Sequence, residues 1–202
     1  IDIMAIHAVC PEARFVSKAD VQHWPLVNRL VAGGGTLYIE RERPRDAVRV
    51  VHQMAEALRA GDTVAVFPEG TTGSGHGLLP FHANLLQAAI ATGTPIQPLA
   101  LRFSDARHAV SPAARFDGEI TLRQSLWRLA CGEGVVASLW VLEAQATAHA
   151  DRRALAERLR GLVAAKLAES VEAVDGGQAA AAAETAGASG TVGTAGVGER
   201  AG

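Results

Sequence analysis

Short runs of β-branched and aromatic residues alternate along the first 140 or so positions with longer stretches in which apolar residues recur every three or four. Arg14-Phe15-Val16-Ser17, Thr36-Leu37-Tyr38-Ile39, Thr63-Val64-Ala65-Val66-Phe67 and Ile96-Gln97-Pro98-Leu99-Ala100-Leu101 read as strands, and Val135 to Leu142 as a further one that holds Trp140. Between the second and third strands, Pro44 opens a helix with Val48, Val51, Met54, Ala55 and Leu58 on one face, and Gly61 closes it. Leu122 to Cys131 is amphipathic and carries Trp127. A last helix starts at the N-cap Asp151 and sets Leu155, Leu159, Leu162, Val163 and Leu167 along one stripe. Strands alternating with helices imply α/β layers, and the last helix reads as structural, an interfacial membrane helix being the alternative.

Composition changes this picture at the two ends. From Gly176 onward the chain is Ala, Gly, Thr and Ser with almost no large side chain, too little to offset the entropy of ordering a backbone. The expectation is one domain over residues 1–175 and a disordered tail over 176–202. The chain begins at Ile1, inside the apolar run Ile1-Asp2-Ile3-Met4-Ala5-Ile6, and reads as one cut at its amino end. No run reaches the ~20 apolar residues that span a bilayer, so any anchor is expected upstream.

Charge and cysteine usage narrow the function classes. Nineteen Lys and Arg stand against 21 Asp and Glu with no basic block, which excludes a phosphate-tracking nucleic-acid binder. Cys10 and Cys131 form no CxxC pair, so neither a zinc site nor a disulfide framework is expected, and a reducing compartment fits. His23, His52, His76, His82, His108 and His149 show no metal-ligand spacing, and no metal is assigned. His7 has Glu12 five residues on, but Pro11 interrupts the helix between them, which spoils the geometry a general base requires.

The stretch with the most chemistry is Thr63-Val64-Ala65-Val66-Phe67-Pro68-Glu69-Gly70-Thr71-Thr72-Gly73-Ser74-Gly75, a buried strand running into a turn dense in Gly and hydroxyl residues. Ligands of open α/β sheets collect at such strand ends. Gly70, Gly73 and Gly75 permit positive φ, so loop N–H groups with the Thr71, Thr72 and Ser74 hydroxyls can form an anion-binding nest; an ordinary glycine-rich turn fits the same residues equally well. No Gly-Lys-Ser/Thr follows, which excludes a Walker loop, and Ser74 lacks the glycines of a nucleophile elbow, which removes a serine hydrolase.

Phe67-Pro68-Glu69-Gly70-Thr71 resembles the third sequence block of the glycerol-phosphate and lysophosphatidate acyltransferase family. Gly35-Thr36-Leu37-Tyr38-Ile39-Glu40-Arg41 looks like its second block, and Thr94-Pro95-Ile96-Gln97-Pro98-Leu99-Ala100 like its fourth. The family's first block is Asn-His, four residues and an aspartate. Asp2 resembles that aspartate, which puts the histidine five residues before it and outside the chain. Phe15-Val16-Ser17-Lys18, followed by Trp24-Pro25, is similar to the linker between the first two blocks.

The resemblance implies an α/β fold with a mixed, mainly parallel sheet flanked by helices. It also implies transfer of an acyl group from acyl-CoA or acyl carrier protein to the hydroxyl of a lysophospholipid, with no further cofactor. In that scheme Asp2 orients the upstream histidine and Glu69 acts in the motif. Gly35, Lys18, Arg41, Phe67, Pro68, Gly70 and Thr71 surround the substrate, Arg41 offering its planar fork to a phosphate. A solvated Lys18, a surface Arg41 and a loop-ordering Glu69 are the structural alternatives. Two departures bear on the acceptor: Thr72 stands where the family often has arginine, and His82 follows Phe81 where lysine is common. The acceptor therefore lies between 1-acylglycerol 3-phosphate and a head group without phosphate such as lyso-ornithine lipid. A non-catalytic lipid-binding relative of the same fold is the rival class. The setting implied is a membrane surface, on the cytoplasmic face of the inner membrane.

Overall fold

A computed structural model of the 202-residue chain describes residues 1–18, 37–39, 44–73, 75, 77–115 and 120–188. The elements run α1 (Asp2–Val9), β1 (Arg14–Lys18), β2 (Leu37–Ile39), α2 (Pro44–Arg59), β3 (Val64–Ala65), α3 (Gln87–Thr92), β4 (Leu99–Ser104), α4 (Leu122–Cys131), β5 (Val136–Val141) and α5 (Arg152–Ala188). One-turn 3₁₀ helices precede α3 at Ala83–Leu86 and α4 at Pro112–Ala114.

The strands form a parallel ladder in the order β2-β1-β3 and an antiparallel pair β4-β5, the mixed, helix-flanked α/β arrangement expected. Chain order explains how the helices lie. To pass from β2 to β3 on opposite sides of β1, the chain crosses over β1 through α2, so α2 packs on β1. Side chains on a strand alternate faces, and β1 uses both. Val16 is buried with Val50, Met54 and Ala55 of α2, while Phe15, 1 % exposed, is buried with Ile6 of α1 and Ala13. Ala65, Phe67, Leu99 and Leu139 join the second cluster, which sets β4 and β5 on the α1 side of β1, while Val64 of β3 packs with the first. Arg14 at the start of β1 is tied to the turn before β3, its Nε 3.0 Å from Asp62.

The described strand ending at Ala65 is shorter than the run 63–67 read from its residues, because the chain leaves the ladder before Phe67-Pro68. Proline has no N–H to donate and turns a strand end aside. β4 begins at Leu99 rather than Ile96, with Ile96 held only by an isolated antiparallel bridge to Gln145; Pro98 again separates the two.

The last helix starts where the cap predicts. Asp151 accepts hydrogen bonds from the backbone N–H groups of Arg153 (3.0 Å) and Ala154 (2.9 Å), and its carboxyl is held below the usual range by these bonds and by the neighbouring arginines. Leu155, Ala156 and Leu159 of α5 pack on Leu86, Phe81 and Ile90. The helical backbone of α5 runs on past residue 175 to Ala188 through an alanine-rich stretch; alanine is the best helix former, which is a physical reason for the difference from the composition boundary. Residues 189–202 lie outside the described residues.

Phe15→Ala is expected to cost about 3–5 kcal/mol through the cavity it leaves, measured by urea unfolding. Asp151→Ala is expected to lower Tm by about 2–4 °C at neutral pH through loss of the cap. Because the folded carboxyl titrates below its unfolded value, its contribution is complete above the unfolded pKa and is lost as pH falls through the folded one. Melts of the two proteins should converge in strong acid, and a constant gap down to that pH would exclude the cap as its source.

Candidate functional site

Phe67 anchors the motif to the core. Its ring lies 6.4 Å from that of Phe15 with planes 15° apart, so the start of the loop is held on the buried central strand. Pro68 then sets the first turn, in which the Gly70 N–H donates to the Phe67 carbonyl at 3.0 Å. Gly70 sits at φ 69°, the left-handed region that a side chain disfavours, and Gly75 at φ 82°. Gly73 is not among the positive-φ glycines. A Cβ there would stand 3.8 Å from the Glu69 Oε2, an ordinary contact distance, so the position does not require glycine.

The Glu69 carboxylate closes this loop. Its Oε2 accepts the backbone N–H of Leu79 at 2.7 Å, a charge-assisted bond across ten residues. Beside it the His82 N–H donates to the Pro68 carbonyl at 2.8 Å. Both bonds bring the far end of the loop, 79–82, back to the motif, and the loop thus carries an internal anion on one of its own N–H groups. The Oε1 atom takes no hydrogen bond from the described residues. Glu69 is half-buried, while Thr71 and Thr72 are exposed at the tip.

Two further groups hold the loop and were not visible as site residues. Arg160 of α5 donates from Nη2 to the Leu78 carbonyl at 3.2 Å, a contact across 82 residues. Val110, in the turn after β4, meets Gly75 so closely that a Cβ at that glycine would lie 3.0 Å from its Cγ1. That turn is itself fixed by Asp105, which accepts from the Arg107 and His108 N–H groups at 2.9 Å; hydrogen bonds from Ser111 and the Arg107 backbone hold its carboxyl well below the usual range. Neither contact has a local sequence signal, because each joins segments far apart in the chain.

Asp2 stands exposed in the first turn of α1, with no side-chain partner among the described residues. Its helix reaches the motif through the core: Ile3 and Ile6 lie in one cluster with Phe67. His7 packs edgewise on Phe15, ring centroids 6.4 Å apart, a structural placement. Lys18 ends β1 beside Ile39 of β2 in the parallel ladder. Gly35, Arg41, Ser74 and His76 lie outside the described residues, as do Trp24 and Pro25. The structure thus brings Phe67, Pro68, Glu69, Gly70 and Thr71 together at the end of β3 and sets α1 on the same core cluster.

Comparison with known proteins gives four findings. A family model described as Acyltransferase matches residues 1–102. A 1-acyl-sn-glycerol-3-phosphate acyltransferase of Neisseria gonorrhoeae is 31% identical over 173 residues, 85% of this chain and 67% of the relative. A lyso-ornithine lipid O-acyltransferase of Pseudomonas aeruginosa is 36% identical over 163 residues, 80% of this chain and 62% of the relative. Among solved structures, the 1-acyl-sn-glycerophosphate acyltransferase of Thermotoga maritima has the same fold at a TM-score of 0.53 and 19% identity, covering 78% of this chain and 56% of that one. The chain therefore spans between about half and two thirds of the length of these proteins.

The two glycines of the motif should separate in a stability assay. Gly70→Ala places a side chain at positive φ and is expected to cost about 1–2 kcal/mol, whereas Gly73→Ala meets ordinary contact distances and is expected to stay within about 0.5 kcal/mol. Equal losses in chemical denaturation would show that conformation at Gly70 is not what the turn requires.

Proposed function

The chain belongs to the Acyltransferase family, and from that premise we propose that the protein it represents transfers an acyl group from a thioester to the free hydroxyl of a lysophospholipid, 1-acyl-sn-glycerol 3-phosphate being the acceptor and phosphatidate the product. The observation that carries this reading is the motif Phe67 to Thr71 seated at a parallel-strand end, with Glu69 bonded to its own loop through Oε2 while Oε1 takes no hydrogen bond from the described residues.

A hydroxyl is a weak nucleophile at neutral pH, so its proton must be removed as it attacks. We assign that step to the histidine that the family's first block sets five residues before Asp2. Its imidazole takes the proton while the hydroxyl oxygen forms a bond to the thioester carbonyl carbon. The carbon–sulfur bond then breaks, and the imidazolium returns the proton to the departing thiolate. Asp2, at the start of α1, is assigned to orient that imidazole and stabilise its charge. General-base help of this kind is worth about 10²–10⁴-fold, the rest coming from positioning and from donors to the oxyanion. No acyl-enzyme is required.

Glu69 is assigned to shape the acceptor pocket and to take a hydrogen bond from an acceptor hydroxyl on Oε1; Gly70 and Thr71 line that pocket and Phe67 with Pro68 fixes its floor. Arg41 and Lys18 are assigned to the acceptor's anionic head group, and Gly35 to the substrate site. Acyl-CoA or acyl carrier protein serves as donor, with no cofactor besides. Among the described residues no helix is long and apolar enough to cross a membrane; we place the protein's work at a membrane surface, on the cytoplasmic face.

Transfer to lyso-ornithine lipid is the second reading. Thr72 in the place of a family arginine favours it, as does the Pseudomonas relative. Acyl transfer by the protein expressed from its complete reading frame, assayed on both acceptors, decides: a kcat/KM higher for lysophosphatidate supports the first reading, and the reverse order replaces it. Glu69→Ala is expected to lower kcat/KM by about 10²-fold, and near-normal turnover would remove it from the site. Arg41→Ala should raise KM for a phosphate-bearing acceptor by about tenfold or more with little change for the thioester; an unchanged KM would reassign the phosphate to another group.

A further inference from the structure

Helix α4 (Leu122–Cys131) is a short surface helix that is ordered from within. Thr121 and Gln124 form a reciprocal capping box: the Gln124 N–H donates to Thr121 Oγ1 at 3.3 Å and the Thr121 N–H to Gln124 Oε1 at 2.9 Å. Its inner face carries the fully buried Ser125 together with Leu126 and Leu129, both half-buried. The outer face is of another kind. Trp127 is 71 % exposed, the most exposed large apolar side chain among the described residues, and the helical repeat puts exposed Arg123 and Arg128 on either side of it. The helix contains no acidic residue.

An indole left in water flanked by two guanidinium groups suits an anionic lipid surface. The ring is apolar with one N–H, which places it at head-group depth, and the arginines meet lipid phosphates. The helix is also connected to the candidate site. It packs on the 3₁₀ turn Pro112–Ala114, and Gly132 at its end would put a Cβ 2.9 Å from that of Ala113. Two residues earlier in the chain, Val110 abuts Gly75 of the motif loop. The outer face of α4 therefore lies a short chain of contacts from the loop that Glu69 closes.

We propose that α4 is a membrane-docking helix, seating Trp127 in the interface of an anionic bilayer between Arg123 and Arg128, and so presenting the Glu69 loop to acceptors held in that bilayer. The docking surface stands on the geometry of α4; the purpose given to it rests on the acyl-transfer reading above. Charge complementarity selects lipid over a second copy of this chain, whose matching face would carry the same two cations.

The test uses the 202-residue chain and vesicles of phosphatidylcholine with and without phosphatidylglycerol. Binding to the anionic vesicles is expected, with quenching of tryptophan fluorescence by lipids brominated on the acyl chain. Trp127→Phe should abolish the quenching, although Trp24 and Trp140 remain. Arg123→Gln with Arg128→Gln should weaken binding by about 25-fold, roughly fivefold per charge, while leaving Tm unchanged because both side chains are exposed. Quenching that survives Trp127→Phe, unchanged vesicle affinity in the arginine pair, or self-association abolished by Trp127→Ala would each overturn the proposal. Acyl transfer separates the two readings: vesicle docking through Trp127 by a complete reading frame that transfers no acyl group leaves α4 standing and removes the enzyme reading. Undiminished transfer to vesicle-borne acceptors in Trp127→Ala leaves the enzyme and removes α4.

Discussion

Everything else in the molecule leans on the two faces of β1. Phe15 and Val16 are neighbours in sequence, and the strand sends them in opposite directions, one toward α1 and the other toward α2. Burying both sides of a five-residue strand is what makes two layers possible in a chain of this size. The same Phe15 ring receives Phe67, so the strand that organises the core also holds the first residue of the motif loop in place. A site built on so deeply buried a partner starts from a rigid point, and rigidity is what chemistry by positioning requires.

From that point outward the loop depends on one carboxylate. A run of glycine, threonine and serine has little side-chain mass with which to pack, and such loops ordinarily sample many shapes. Here the Glu69 carboxylate and the Pro68 carbonyl take up N–H groups of Leu79 and His82 and turn an open excursion into a closed one. The anion that the loop binds is thus, in part, its own. A carboxylate that orders its loop through Oε2, and whose Oε1 takes no hydrogen bond from the described residues, can both shape a pocket and meet a hydroxyl placed in it, so the loop-ordering and substrate-facing roles of Glu69 are compatible.

Distant segments then brace the closed loop. Arg160 reaches it from the last helix and Val110 from the turn after β4, so segments remote in sequence meet around the motif. The turn carrying Val110 leads through Pro112–Ala114 to α4, and a surface helix with an exposed tryptophan stands at the end of this chain of contacts. On the acyl-transfer and docking readings proposed above, the position of the motif relative to a bilayer matters as much as its internal geometry.

Much of this was readable from residue order. The period of Val51 to Leu58, the cap at Asp151, the β-rich run Arg14 to Ser17, and the pentapeptide from Phe67 to Thr71 are local signals, each contained in a few neighbouring residues, and the elements and the family followed from them, although Val48, placed on the same helix face, stands 59 % exposed. The strand ends were less readable: prolines at 68 and 98 shortened β3 and delayed β4, and alanine carried the helical backbone of α5 past the point where composition alone suggested a tail. What residue order could not convey were the contacts that join segments far apart. Glu69 might equally have faced solvent, Gly73 was grouped with the positive-φ glycines, and nothing near Leu78 named Arg160 as its donor. The sequence by itself determined which segments are strands and helices and which family the chain belongs to, because those are written in local spacing and motif; the tertiary structure alone decided which N–H the carboxylate would take and which helix would brace the loop, because those depend on where the packed core brings remote residues together.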